Sequence, residues 1–358
     1  KIPANVLIRH INSSPRNGRL CAVLARQTGA YMTDSIQLLG ISNAIVDVLA
    51  HVDNAFLDSI GAEPGSMTLI DKDRAHEIYN QMGPATEMSG GSVANTIAGF
   101  ANLGGAAAYI GKVRNDQLGR IFNHDMKSLG IDIRLDKAED GAPTARSHVL
   151  ITEDGQRTMQ TYLGACLELG LADINEATIG APKAILLEGY VWDIAEGPAL
   201  ARKAVEIARQ NGTSVALSLS DSFCVERHRD SFEEFVRDGV DIVVADEDEV
   251  MALVEKRSFD DTVKALDDYN NLFAITRSAK GSVIIHGDEK IVQAAAGVDD
   301  IVDTTGAGDA YCAGFLFGWA NGLPLSHCAQ YGTHCATQVI QQLGARIEPG
   351  LLDGFEAR

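Results

Sequence analysis

The segment Val302-Asp303-Thr304-Thr305-Gly306-Ala307-Gly308-Asp309-Ala310 lies near the end of the chain and precedes a stretch of helical character over residues 311–322. Its glycines let the backbone approach a ligand, and the first turn of a helix offers unpaired N–H groups that stabilise an anion. Asp309 would repel that anion unless it accepts a proton or faces a metal. The segment therefore predicts an anion-binding loop in which Asp309 is either a catalytic group or a helix cap.

The composition excludes several classes of protein. The chain has 358 residues, 46% of them apolar, and a formal charge of -19, which argues against nucleic acid and anionic membranes as partners. The cysteines form no C-x-x-C pair, the histidines lack metal-ligand spacing, and no apolar run reaches the length of a membrane span. These features predict a cytoplasmic protein with reduced thiols.

The beginning of the chain differs from the rest. Residues 1–31 contain Lys and Arg but no Asp or Glu, whereas acidic residues dominate afterwards. The apolar residues 20–25 are too few for a signal sequence. We expect residues 1–33 to be an extension outside the fold and residues 34–358 to form one domain.

Short apolar runs alternate with helical segments along residues 34–358, which is typical of a doubly wound, mostly parallel α/β sheet flanked by helices. Residues 35–48 predict a buried strand and then a loop carrying Asp47, whose partner is a ligand hydroxyl or a backbone N–H. Residues 144–163 predict a hairpin, after whose turn Arg157 either reaches a phosphate or is solvated. Segments 47–70 and 131–165 are expected to form a small β-sheet lid.

Two further segments place polar groups at expected helix ends. Gly90 and Gly91 precede a helix, and Ser92 and Asn95 lie one turn apart, so both can face the same ligand. The alternative is a capped turn without a ligand. Residues 246–249 are all acidic and open another helix. They either complement its dipole or hold Mg²⁺ through water.

The segment Gly90-Gly91-Ser92-Val93-Ala94-Asn95 and the later segment from Asp303 to Asp309 resemble the G-G-x-x-x-N and D-T-x-G-A-G-D motifs of the PfkB or ribokinase family of carbohydrate and nucleoside kinases. The resemblance spans about residues 36–350 and implies a ribokinase-like fold with Mg²⁺- and ATP-dependent phosphorylation of a hydroxymethyl group. It makes Asp309 the catalytic base, aided by the amides of Gly306, Ala307 and Gly308.

Within this family the chain is most similar to bacterial adenosine kinases. Residues 43–47 match their N-x-x-x-D motif, and residues 219–223 match their L-S-x-x-F motif. The resemblance implies a nucleoside as acceptor, and a free sugar or sugar acid is the alternative. A non-catalytic nucleoside-binding protein is the third possibility. The acceptor-binding residues that the family resemblance implies are Asn43, Asp47, Gly90, Gly91, Ser92, Asn95, Arg157 and Leu163.

The same resemblance assigns residues to the nucleotide and to cations. Glu249 is the implied Mg²⁺ ligand and Asp303 the implied site of a monovalent cation such as K⁺. Ser42 and Ser278 replace family glycines, and Asp246 replaces the asparagine of the N-x-x-E motif. An open edge of the lid sheet is compatible with either a monomer or a homodimer. The implied nucleotide-binding residues are Asp246, Glu249, Thr276, Gly281 and Thr305.

Overall fold

The computed structural model describes residues 35–298 and 300–357, so the extension predicted for residues 1–33 lies outside the described residues. The strands are β1 (Leu38–Ile41), β2 (Ile45–His51), β3 (Met67–Leu69), β4 (Thr86–Gly90), β5 (Ala107–Ile110), β6 (Asp132–Ile133), β7 (Ala145–Ile151), β8 (Arg157–Tyr162), β9 (Ala184–Glu188), β10 (Ser214–Ser218), β11 (Ile242–Asp246), β12 (Leu272–Thr276), β13 (Ser282–His286) and β14 (Glu289–Gln293). The helices are α1 (Asn54–Ser59), α2 (Lys72–Gln81), α3 (Ser92–Asn102), α4 (Gln117–Ser128), α5 (Glu176–Ile179), α6 (Gly197–Gln210), α7 (Ser222–Gly239), α8 (Glu247–Leu253), α9 (Phe259–Ala265), α10 (Ala307–Ala320) and α11 (Leu325–Val339).

The larger sheet has nine strands in the order β14-β13-β12-β11-β10-β9-β1-β5-β6. All neighbours from β12 to β6 are parallel, whereas β13 and β14 are antiparallel additions at one edge. The central strands are continuous apolar runs because helices cover both faces of the sheet. Leu200 of α6 and Phe232 of α7 pack on one face, and Phe100 of α3 and Phe315 of α10 pack on the other. The predicted doubly wound α/β fold is confirmed.

The smaller sheet has five strands in the order β3-β8-β7-β2-β4. The predicted hairpin is β7 and β8, which pair antiparallel, and β3 joins β8 in parallel. One local prediction was wrong, since Asp47 lies within β2 and not on a loop. Strand β4 was not predicted. Strand β6, inside the predicted lid segment 131–165, pairs with β5 in the larger sheet.

The two faces of the smaller sheet have different environments. Register places Asp47 beside Ser147, Ser147 beside Thr161, and Thr161 beside Leu69, so these side chains share one face, which we call the inner face. On the other face, Leu150 is buried by apolar residues of α1 and α2. The inner face therefore remains available to line a site. None of the described helices has the length and apolar character that a membrane span requires.

Candidate active site

Gly306 is the N-cap residue before helix α10, and its backbone adopts the left-handed conformation at φ +75°. A side chain here would overlap Ala345, so glycine is required on both counts. Asp309 lies in the first turn of the helix, but its carboxylate points away from the helix axis towards α3. It accepts hydrogen bonds from Ser92 Oγ at 2.6 Å and from Asn95 Nδ2 at 3.2 Å. Asp309 thus connects two helices and is not a cap.

The environment of Asp309 suits proton transfer. Burial raises the pKa of its carboxyl to about 6, and the hydrogen bonds from Ser92 and Asn95 and the charge of Arg346 limit that rise. A carboxylate whose pKa lies close to the working pH is an effective general base. Among the amides predicted to stabilise the transferred group, the Ala307 N–H donates a hydrogen bond to Thr304 O at 3.2 Å. A side chain at Gly308 would meet no atom within 4 Å. The approach to the helix start is therefore open at Gly308.

Four of the predicted acceptor-binding residues lie close together at the end of β4. They are Asn43, Asp47, Gly90 and Gly91. A side chain on Gly90 would overlap the Asp47 carboxylate, and one on Gly91, at φ +94°, would lie 2.7 Å from Asn43 O. The Asn43 Oδ1 atom is buried without a hydrogen-bond partner among the described residues. An unsatisfied buried acceptor costs about 1–3 kcal/mol, so a hydroxyl donor from a ligand would be stabilised there.

Asp47 and Asp309 influence each other through space. Burial raises the pKa of Asp47 to about 6, the charges of Arg346 and Arg157 oppose the rise, and the charge of Asp309 adds to it. The two carboxylates therefore lie near enough for their charges to interact, although they are at opposite ends of the described chain. That both face one ligand stays a prediction.

Arg157 is not solvated, so that alternative for the hairpin arginine was wrong. Its side chain is 8% exposed and forms an ion pair with Asp303. The Asp303 carboxylate also accepts hydrogen bonds from the backbone N–H of Thr305 at 3.0 Å and of Gly344 at 2.9 Å. Both oxygens are thus occupied, and the positive charge is already supplied by Arg157. The monovalent cation that the family resemblance implies at Asp303 therefore stays a prediction.

Leu163 lies one residue beyond β8, where the chain enters the 3-10 helix Gly164–Glu168. Its carbonyl accepts a hydrogen bond from the thiol of Cys166. Leu163 is therefore not part of the smaller sheet, and its predicted contact with the acceptor stays a prediction.

On the nucleotide side, Asp246 and Glu249 form a reciprocal capping box at the start of α8. The Glu249 N–H donates to Asp246 Oδ1 at 2.8 Å, and the Asp246 N–H donates to Glu249 Oε2 at 2.9 Å. Burial and the charge of Asp246 raise the pKa of Glu249 to about 8, and burial also raises the pKa of Asp246. Two neighbouring carboxylates with raised pKa values fit a nearby cation, because its charge would offset their repulsion.

The described residues contain no group of three or more His, Cys, Asp or Glu side chains arranged to hold a metal ion. Magnesium needs no such cage, since it commonly binds through one or two carboxylates, water and substrate phosphates. The pair of Asp246 and Glu249 is therefore compatible with Mg²⁺, and the capping interpretation of these residues is also correct.

The loop after β12 contains two residues with a left-handed backbone, Ser278 and Gly281. Thr276 lies beside Asp246 in the register of β11 and β12. Gly281 has φ +86°, and a side chain there would overlap the backbone at Gln293. Ser278 itself adopts φ +49°, a left-handed conformation that explains why the family pattern has glycine at this position. At Ser42, the other departure, the hydroxyl lies 2.9 Å from the Tyr109 hydroxyl in the core.

Two charged residues of the site were missed by the sequence interpretation. Glu188, 1% exposed, ends β9 and accepts a hydrogen bond from the Val93 N–H at 3.3 Å, and burial raises its pKa to about 8. A carboxylate at the end of an apolar strand was the signal that identified Asp47, and it also applied to Glu188. Arg346 donates to Ala94 O at 3.1 Å, to Ser89 Oγ at 2.9 Å and to Ser89 O. No local pattern marks Arg346, because its partners lie more than 250 residues away.

A family model described as pfkB family carbohydrate kinase matches residues 57–349 of this chain, a range that includes both glycine motifs. The chain belongs to the pfkB family. This pfkB protein is therefore a phosphotransferase that acts on a hydroxyl group, and its membership of a kinase family implies ATP as the phosphoryl donor.

Relatives of this pfkB protein carry names with different acceptors. The crystal structure of adenosine kinase from Sinorhizobium meliloti has a TM-score of 0.83 and 45% identity, covering 89% of this chain and 98% of that one. A probable sugar kinase protein from Rhizobium etli CFN 42 has a TM-score of 0.83 and 41% identity, covering 89% and 97%. The 5-dehydro-2-deoxygluconokinase of Clostridium perfringens is 28% identical over 262 residues, covering 70% of this chain and 78% of that protein. The acceptor therefore has to be argued from the site itself.

Proposed function

We propose that this pfkB kinase transfers the γ-phosphoryl group of ATP to the 5'-hydroxyl of a nucleoside, with adenosine as its acceptor and AMP as its product. One observation carries the proposal: the Asp309 carboxylate lies in the first turn of helix α10, is held by Ser92 and Asn95, and interacts through its charge with the buried Asp47. The similarity to the Sinorhizobium meliloti adenosine kinase supports the choice of adenosine.

In this proposal Asp309 accepts the proton of the 5'-hydroxyl as the oxygen attacks the γ-phosphorus and the bond to the leaving ADP breaks. Asn95 and Ser92 hold the Asp309 carboxylate in position through their hydrogen bonds. The N–H groups of the helix start, above all that of Gly308, stabilise the charge on the transferred group. Asp246 and Glu249 would hold Mg²⁺, which neutralises phosphate charge when it is bound.

The acceptor's hydroxyls are proposed to contact the residues around Gly90 and Gly91. Asp47 accepts hydrogen bonds from the ribose hydroxyls, and the unpartnered Asn43 Oδ1 accepts another. Because Gly90 and Gly91 have no side chains, the ribose can lie against the backbone next to Asp47. The smaller sheet serves as a lid that excludes water from the transferred phosphoryl group.

The inner face of the lid favours a nucleoside over a sugar acid. Met67 and Leu69 are 47% and 55% exposed, and they share this face with Thr161, Ser147 and Asp47. Exposed apolar side chains beside a polar pocket suit a planar base next to a ribose. The carboxylate of a sugar acid would gain nothing from these apolar side chains, and Arg157, on the same face, is already paired with Asp303.

The experiment is an ADP-release assay with adenosine, inosine, ribose, fructose, 2-keto-3-deoxygluconate and 5-dehydro-2-deoxygluconate as acceptors. We expect the highest kcat/KM with adenosine and little turnover of the two sugar acids. Turnover of a sugar acid above that of every nucleoside would replace the proposed acceptor. Thermal stabilisation by adenosine without ADP formation would instead indicate a binding protein that has lost catalysis.

A further inference from the structure

Arg346 lies after the last helix, α11, and reaches back into the acceptor pocket. Its guanidinium donates hydrogen bonds to Ser89, in strand β4 of the lid sheet, and to Ala94, in helix α3 beneath the pocket. Ser89 is additionally held by Asp125, whose carboxylate accepts its N–H at 2.9 Å. One side chain thus joins the lid, the helix that carries Ser92 and Asn95, and the end of the chain.

The hydrogen bonds that Arg346 donates all go to neutral oxygens, two carbonyls and one hydroxyl. A guanidinium stays protonated in proteins, so these contacts orient its charge without cancelling it. A positive charge in a partly buried site acts on nearby carboxylates more strongly than one in water. The carboxylates of the acceptor pocket, Asp47 and Asp309, both respond to it.

We propose that Arg346 is a positioning residue for phosphoryl transfer, which ties the lid strand β4 to helix α3 and supplies the acceptor pocket with a permanent positive charge that favours ionised Asp47 and Asp309. The inference rests on the proposed role of Asp309 as the base. It adds a residue that neither glycine motif contains.

Other groups also face these carboxylates and have to be considered in any pH profile. Arg157 from β8 acts on Asp47, but its charge is offset by Asp303. The remaining neighbours are acidic or neutral and therefore cannot replace Arg346 as the source of positive charge. They are Glu188 of β9, Glu249 of α8 and Cys312 of α10 around Asp309, and Asp125 of α4 and Tyr109 of β5 around Arg346.

The test compares Arg346→Gln, Arg346→Lys and Ser89→Ala in the full chain, with ADP release measured from pH 5 to pH 9. Gln removes the charge, Lys keeps the charge but loses the planar fork, and Ser89→Ala removes one acceptor without changing any charge. Arg202→Gln is the matched control, because Arg202 is an exposed arginine on α6. Asp309→Asn, assayed alongside, tests the base assignment separately.

We expect the acidic limb of kcat/KM in Arg346→Gln to move up by about one pH unit, which makes the loss at pH 6 about fivefold larger than at pH 8. Arg346→Lys and Ser89→Ala should keep the limb in place and raise the KM for the acceptor. If the acidic limb of the kcat/KM profile does not move in Arg346→Gln, the proposal is overturned.

If Arg346→Gln does not fold, as judged by circular dichroism, Arg346→Lys still decides the question. A limb that shifts in Arg346→Lys, which keeps the charge, would contradict the electrostatic role. Full activity of Asp309→Asn would instead contradict the proposed base, whatever the Arg346 variants do.

Discussion

The proposed acceptor half and the proposed nucleotide half of the site are held together in different ways. In the acceptor half, Asp309 accepts a hydrogen bond from Ser92, 217 residues earlier in the chain. In the nucleotide half, Asp246 and Glu249 bond to each other across three residues. The acceptor half therefore exists only in the complete fold, whereas the capping box forms within one helix turn. Substitutions should separate the two, with losses of catalysis in the first half and losses of local stability in the second.

The largest effect is expected for Asp309→Asn. The amide keeps the shape of the side chain but takes no proton, so kcat should fall by about 10²- to 10⁴-fold while the affinity for adenosine changes by a few fold. Wild-type activity should decline as the pH falls through about 6, because protonated Asp309 is no longer a base. Initial rates of ADP release and equilibrium adenosine binding measure both effects.

Asp309 also contributes to stability in a direction that can be checked. Its pKa is higher in the folded state than the usual 3.8, so the folded protein binds more protons and loses stability as the pH rises from about 4 to 6. Asp309→Asn should therefore be more resistant to heat than the wild type at pH 8. The exposed Asp58→Asn on α1 is the control, and an unchanged kcat in Asp309→Asn would remove Asp309 from the mechanism.

Asp47→Ala comes next. Hydrogen bonds to a charged group contribute about 1.5–3 kcal/mol, so the KM for the acceptor should rise about 10- to 100-fold, with a smaller effect on kcat. Gly90→Ala should act in the same direction, because its side chain would displace the Asp47 carboxylate. Steady-state kinetics with varied adenosine at saturating ATP provides the measurement. A KM that stays at the wild-type value would place the ribose elsewhere.

In the nucleotide half, Asp246→Ala and Asp246→Asn serve as controls for each other. Both remove one negative charge, but asparagine still caps α8 and alanine does not. Asp246→Ala should lose about 1 kcal/mol in the free energy of unfolding, and Asp246→Asn should lose much less. Urea unfolding measures this difference, while both variants should change the Mg²⁺ dependence of the rate alike. Equal destabilisation of the two would show that the cap contributes nothing.

The smallest effect is expected on exchanging monovalent cations. Since Arg157 already provides the charge at Asp303, replacing KCl by choline chloride at constant ionic strength should leave the rate of the wild type unchanged. Arg157→Ala should lower the rate and make it sensitive to K⁺, because Asp303 then lacks a cation. A wild-type rate that falls strongly in choline chloride would instead indicate a monovalent-cation site at Asp303.

The sequence predicted the elements that depend on local patterns. Alternating apolar runs and helical segments were enough for the parallel sheet and for the hairpin of β7 and β8. The acidic run at residues 246–249 was correctly associated with a helix start. Each of these features is decided within a few residues of chain.

Features that depend on distant partners were harder to predict. Asp47 was placed on a loop because residues 35–48 read as one strand, whereas the chain leaves the larger sheet after Ile41 and enters the smaller one at Ile45. For Arg157 the sequence offered a phosphate or solvent, and its ion-pair partner Asp303 was not foreseen because it lies far along the chain. No sequence pattern identified Arg346 as a residue of the site. Charge compensation between remote residues has no periodicity, so a single sequence does not reveal it.

The hydrogen bond between Ser92 and Asp309 also has a consequence for folding. Contacts between residues so far apart form late, because the chain must close a long loop before they contribute. In refolding from denaturant, the ellipticity of the helices should recover before enzymatic turnover does. The rate at which enzymatic activity recovers therefore measures the rate of the last long-range step of folding.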